Sequence, residues 1–298
     1  MSCVYSERRS KRHQQVVILQ RGKAMSIVLI SSDSYEEGSE IAGKTAEALG
    51  YAYLGREILN MVATRYDIPQ DKLLKALDES PSIFGMPAKI RHRYLAYIEE
   101  AVLARLLEDN VVCYGLAAHL YVLGVSHVLK VGLISAREER IKRISSRAGI
   151  SEAKAGKLIS REEKRQRQRS LEAFRIDGTD PSFYDMIIRL SNIDPDDLVK
   201  TITEIVGYRK FKPMTYSIKC LTDRELAARV RAVLLAGFPD VRVQANGGMV
   251  VVETTAIKRE EAKRVAAIKK LADGISGVSR VEVHVINDIF RQAAESFR

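Results

Sequence analysis

Between the apolar run Ile27–Ile30 and Gly50 the chain reads SSDSYEEGSEIAGKTAEAL, a junction of small hydroxyl residues with two adjacent carboxylates, Glu36 and Glu37. A polar segment that leads from a strand into a helix can hold an anion on backbone N–H groups and the helix N-terminus. Serines and glycine suit that chemistry, and the two glutamates oppose it. A carboxylate about 4 Å from a phosphate charge repels it by roughly 4 kcal/mol at an effective dielectric near ~20. Gly38–Thr45 also fits the spacing G-x-x-x-x-G-K-[ST] of a phosphate-binding loop. Yet Ile41, Ala42, Thr45, Ala48 and Leu49 already run through it at helical spacing, and Gly50 is a helix stop. We therefore read Gly38–Thr45 as helix, with the working loop at Ser32–Gly38 and the helix starting near Ser39.

Other chemistry-bearing residues read more plainly. The segment REEKRQRQR (161–169) is a basic run on a polar helix, and such runs usually form a solvated face. His119 reads as a packed histidine, and Asp180 and Asp185 as turn-making residues around Pro181-Ser-Phe-Tyr184. Cys3, Cys113 and Cys220 are scattered without C-x-x-C or histidine partners, as inert thiols of a reducing cytoplasm would be.

The elements that must position these residues alternate. A strand at Ile27–Ile30 and the helix to Gly50 precede a short apolar stretch at Tyr51–Tyr53 and a helix around Arg56–Tyr66. Asp67-Ile-Pro69 opens another helix. Pro81 and Pro87 break the chain before a long amphipathic helix over 91–108. Strands follow at Val111–Tyr114 and His127–Ile134. Ser135 is placed to cap a basic helix at Arg137–Ala148, and Ser151 a further one. Tyr184–Leu190 is the last strand of this half and Asp194–Val206 its closing helix. This alternation predicts a parallel α/β sheet flanked by helices.

Beyond the polar stretch 209–214, read as a linker, the pattern changes. A strand at Tyr216–Cys220, a helix at Asp223–Ala236, a hairpin through Asn246-Gly247-Gly248, a helix at Lys258–Asp273 and a strand at Val281–Ile286 predict a small βαββαβ, α+β domain. The expected division is a basic leader at 1–24, the α/β domain at 25–208, the linker, the α+β domain at 215–290 and a tail at 291–298. At 298 residues two domains are expected. The net charge is +10, but the leader holds six basic residues against Glu7 alone, which argues against a nucleic-acid partner. No apolar run reaches membrane-spanning length.

Four stretches carry a resemblance: ISSDSYEEGSEIAGKTAEALGYAYLGREIL, NVVCYGLAAHLYVLGVSHVLKV, AREERIKRI and RIDGTDPSFYDMIIRLSNI. Through them residues 26–206 resemble the cytidylate kinase-like family, a branch of the P-loop nucleoside monophosphate kinases. The resemblance implies ATP and magnesium at the first loop and a basic lid over the transferring phosphate. On this chain it places the loop at Ser32, Asp33, Ser34, Tyr35, Glu36, Glu37, Gly38 and Ser39. It places the lid cations at Arg140, Arg143, Arg161, Arg165, Arg167 and Arg169. Phosphoryl transfer needs positioning and charge neutralisation, which arginines supply. The sequence departs from the family in two places: the loop keeps a single glycine, Gly38, and Gly115-Leu116-Ala117 stands where members often show Gly-Arg-Gly. The segment VRVQANGGMVVVETT, followed by a helix and GVSRVEVHV, resembles a BON-type domain and implies a lipid or protein partner.

Two functions follow as expectations. One is phosphoryl transfer from ATP to a nucleoside monophosphate such as CMP. The other is a kinase-derived regulatory or scaffold module with a degenerate phosphate loop.

Overall fold

The computed structural model describes residues 26–78 and 86–287; the basic leader, Pro81 and the C-terminal tail lie outside them. Five parallel strands form the first sheet: β1 (Ile27–Ser32), β2 (Ala52–Leu54), β3 (Val111–Tyr114), β4 (Val128–Ile134) and β5 (Met186–Arg189), in the order β2-β3-β1-β4-β5. Parallel strands covered on both faces must be apolar throughout, which is why β1 begins IVLI. Alternate residues serve opposite cores, Ile27 and Leu29 on one face and Val28 and Ile30 on the other.

The first face is covered by helices α2 (Ile58–Tyr66), α3 (Gln70–Asp78) and α4 (Ala88–Leu106), through Leu59, Leu73 and Ile98. The second is covered by α1 (Tyr35–Leu49) and α8 (Pro195–Val206), through Ile41, Ala46, Leu198 and Ile202. Between β3 and β4 lies the single turn of helix α5 (Ala118–Tyr121). Between β4 and β5 stand α6 (Arg137–Ala148) and α7 (Glu152–Phe174), a lid hairpin over the C-terminal ends of the strands. Ser151 caps α7 by accepting from the Lys154 N–H. Ser135 does not cap α6, whose N-cap is Ala136; it is engaged elsewhere.

The C-terminal unit holds α9 (Thr215–Leu234), β6 (Arg242–Asn246), β7 (Met249–Ala256), α10 (Glu261–Asp273) and β8 (Arg280–Asn287). β6 and β7 form the expected hairpin, with Gly247 and Gly248 at φ 59° and 88°, while β8 runs parallel to β7. The expected strand at Tyr216–Cys220 is instead the first turns of α9, so the order is αββαβ. The stretch 209–214 contains a 3₁₀ turn at Arg209–Phe211; Phe211 is buried and its carbonyl accepts from Ser26 Oγ at 3.0 Å. α9 belongs to two cores. Leu221, Ala228 and Ala232 join the core around α4, and Leu226, Val230 and Leu234 join that of the three-stranded sheet.

Candidate functional site

At the C-terminal end of β1 the chain turns into α1 with only Asp33 and Ser34 between them. This corrects the expected loop: Ser32 ends the strand, and Tyr35, Glu36, Glu37, Gly38 and Ser39 are all helical. Gly38–Thr45 is helix, as its spacing requires. The first intrahelical bond runs from Gly38 N to Ser34 O at 3.0 Å. Gly38 is needed for close approach, because a Cβ there would stand 2.4 Å from Ser32 Cβ and 2.6 Å from the Tyr114 hydroxyl oxygen. That hydroxyl donates across the junction to the carbonyls of Ser34 (3.2 Å) and Tyr35 (2.9 Å), and burial pushes the phenol pKa up.

The two glutamates turn toward the lid. Glu37 accepts from Arg143 at 2.5 Å and Glu36 from Arg147 at 2.7 Å. Asp33 stands 3.6 Å from Arg140, and its carboxylate accepts from Ser135 N (2.9 Å) and Oγ (3.1 Å). Arg140, Arg143 and Arg147 are spaced by three and four, so they share one stripe of α6. Three carboxylates at the start of α1 thus meet three guanidiniums of the lid. Glu163 of α7 joins the ladder through Arg140 (2.8 Å) and Arg137 (2.9 Å).

Beside the ladder opens a cleft of about 340 Å³ between the end of β1, the β3–α5 turn, α4 and α7. Two arginines that sequence reasoning did not single out line it. Arg56 donates to Asp78 at 2.7 Å and lies 4.8 Å over the Tyr35 ring; Arg91 is buried, its Nε donating to the Ala76 carbonyl. A second chamber of about 640 Å³ continues under α7 toward β4 and β5, with Ile134 and Ile187 exposed on its floor. Of the remaining expected lid cations, Arg167 lines that chamber and pairs with Asp177 at 2.6 Å. Arg161 and Arg165 are exposed on α7, and the Arg169 side chain lies outside the described residues. Arg147 could have been found from the sequence, since it continues the stripe begun by Arg140 and Arg143.

His119 packs on Tyr184 with ring centroids 5.1 Å apart and lines the cleft. Its Nε2 lies 3.2 Å from the Gly178 carbonyl and its Nδ1 3.4 Å from Ser31 Oγ. Burial lowers its pKa to about 4, so at neutral pH it is an uncharged ring that donates to Gly178 and accepts from Ser31. Asp180 and Asp185 are turn residues. Asp180 accepts from Ser182 N, and Asp185 accepts from Lys130 N and from Lys210.

A Ser–His–Asp grouping also exists: the Ser217 hydroxyl bonds His127 Nδ1, and His127 Nε2 lies 3.6 Å from Asp109. All three are buried, so no substrate reaches the serine. Ser217 Oγ instead accepts from the N–H groups of Ser126 and His127, fastening α9 to the entry of β4.

A family profile, that of the cytidylate kinase-like family, matches residues 27–192, from β1 through the lid to the end of β5. The chain belongs to the cytidylate kinase-like family. A cytidylate kinase of Thermococcus kodakarensis is 35% identical over 101 residues, which cover 34% of this chain and 51% of the relative. The chain therefore spans about half the length of the curated relative it matches. Among solved structures, an uncharacterized protein from Eubacterium ventriosum is 19% identical, covering 62% of this chain and 99% of its own, with a TM-score of 0.42. A shikimate kinase from Bacteroides thetaiotaomicron is 12% identical, covering 62% and 100%, with a TM-score of 0.39. No described helix is long and apolar enough to cross a membrane.

A cytidylate kinase-like chain implies ATP and magnesium at the β1–α1 junction. A triphosphate cradle needs several backbone N–H groups around open space. Here the connection is two residues long, so it offers few such groups, and two carboxylates flank the helix start. The triphosphate does not fit this arrangement.

Proposed function

We propose that this chain is a kinase-like nucleotide-binding protein that takes a nucleoside monophosphate, CMP being the type case, into the cleft beside the lid. Arg56 and Arg91 would meet its phosphate, and phosphoryl transfer is held off by the chain's own carboxylates. The observation that carries this reading is the ladder itself. Each of Arg140, Arg143 and Arg147, which would neutralise a polyphosphate, stands against Asp33, Glu37 or Glu36, whereas the cleft beside it stays open. Scattered thiols and the kinase-like fold suit a cytoplasmic protein. A binding role for the C-terminal unit, toward lipid or protein, belongs to the same proposal and is tested by liposome co-sedimentation of the full chain.

The deciding experiment pairs thermal shift with CMP, ATP and CTP with an assay of CDP formation from CMP and ATP. Stabilisation by CMP without CDP is the expected result. Sustained CDP formation would establish an active kinase instead. No response to any common monophosphate would sink the nucleotide reading.

A second reading, a regulatory module that binds no nucleotide, is favoured by one observation, the shortness of the β1–α1 connection. It differs in predicting no CMP response.

A further inference from the structure

The cleft has a strained wall. Gly115, Leu116 and Ala117, which turn β3 into α5, have φ of 70°, 57° and 57°. Three consecutive left-handed residues are uncommon, and each with a Cβ costs roughly 1–2 kcal/mol unless its surroundings hold it. All three line the cleft, as do His119 and Leu120 just beyond them.

The turn itself is bonded to the first sheet and to α5, Gly115 N donating to the Ile30 carbonyl and Leu120 N to that of Ala117, both at 2.9 Å; its exit is held by the C-terminal unit. Arg224 of α9 donates Nη1 to the Tyr121 carbonyl at 3.3 Å and Nη2 to the Leu123 carbonyl, the chain's exit from α5. One heptad earlier, Ser217 fastens the start of β4; one heptad later, Arg231 donates to Glu99 of α4 at 2.7 Å. Ser217, Arg224 and Arg231 are seven residues apart and lie on one stripe of α9, with Leu221 and Ala228 between them in the core shared with α4. Glu99 is half-buried, and its loss of solvent raises its pKa while Arg231 and Arg224 oppose the rise. α4 in turn carries Arg91 and Leu95 on the cleft side. The stripe therefore touches the two elements, α4 and the chain leaving α5, that continue from the cleft walls.

We infer that α9 is a brace for the nucleotide cleft, and that Arg224 is a positioning residue holding the left-handed turn Gly115–Ala117 in its ligand-ready shape. The inference rests on the cleft being the monophosphate site, but its physical core does not. The C-terminal unit is thereby part of the site's machinery rather than an appendage to it.

The test is Arg224→Met in the full chain, which keeps the apolar stem and removes both donors. Hydrogen exchange should rise about tenfold at the amides of 116–123 and stay unchanged in β7 and β8. CMP affinity should fall about tenfold, the scale of one lost charge-assisted hydrogen bond. Ala117→Gly relieves the left-handed strain, so it should recover more exchange protection in the Arg224→Met background than in the wild type. Arg280→Ala, which breaks an exposed pair with Glu282 on β8, should change none of these. Unchanged exchange at 116–123, or equal effects of Ala117→Gly in both backgrounds, would overturn the brace. If Arg224→Met does not fold, Arg224→Lys, which retains the charge, carries the same comparison. If wild-type protein binds no CMP, the nucleotide reading fails, and the exchange data still decide the brace.

Discussion

Replacing Glu36 by Ser and Glu37 by Gly together should convert the start of α1 from anion-repelling to anion-binding. The ion pairs being lost are weak. Side-chain exposure is 46% and 38% for Glu37 and Arg143, and 68% and 73% for Glu36 and Arg147. Pairs so exposed contribute about 0–1 kcal/mol each. Gly in the first turn and the loss of two acidic groups at a helix start add about 1–2 kcal/mol, so a modest fall in stability is expected. The gain for a ligand is larger. A phosphate charge about 4 Å from one carboxylate meets roughly 4 kcal/mol of repulsion at an effective dielectric near ~20, a ceiling that the arginine partners lower. Half of that, about 2 kcal/mol, is more than tenfold in affinity. The freed Arg143 and Arg147 add attraction. Calorimetric titration of inorganic triphosphate and of ATP with magnesium, at low and high salt, measures the change. The double variant should bind triphosphate at least about tenfold more tightly than wild type, with the difference shrinking as salt rises. Glu36→Gln with Glu37→Gln, which keeps shape and helix propensity, should show most of the same gain. Affinities unchanged within about twofold in both variants would refute the electrostatic account and leave the short connection as the obstacle.

Other outcomes follow from single contacts. Gly38→Ala drives a Cβ against Ser32 and Tyr114 and should lower the melting temperature by roughly 5 °C or more, despite alanine's better helix propensity. Ala117→Gly alone should stabilise the protein by about 1 kcal/mol in urea unfolding, because glycine adopts the positive φ without penalty. His119, with its pKa lowered to about 4 by burial, makes the folded state bind fewer protons than the unfolded chain between that value and about 6.5. Stability should therefore fall as pH drops through this window, by a few kcal/mol at the lower end. His119→Gln should flatten the dependence, as urea titrations at neutral and mildly acidic pH would reveal.

The parallel sheet was legible because buried strands leave continuous apolar runs, and IVLI, VVCY and VLKVGLI are unmistakable between helical spacings. The helical nature of Gly38–Thr45 was legible for the same reason. The start of α1 was placed four residues late, since SSDSYEEG has loop composition. Its helicity comes from Gly38 fitting under Tyr114, a contact separated by 76 residues that no local pattern carries. Tyr216–Cys220 alternates like a strand over five residues. It is helix because Ser217, Leu221, Arg224, Ala228 and Arg231 all find partners on the first domain. Arg56 and Arg91 escaped notice because their spacing encodes nothing. Only the approach of α4 to the β2–α2 connection brings them to one cleft.

The double membership of α9 has a consequence for how the molecule comes apart. Leu221 and Ala228 lie in one core and Leu226 and Val230 in the other, so neither core can lose this helix without baring the second. Melting should then be one cooperative event spanning both sheets. A chain cut near residue 208 would strip Glu99 of Arg231 and bare the apolar positions that Leu221 and Ala228 cover, and would be a poor stand-in for the five-stranded unit.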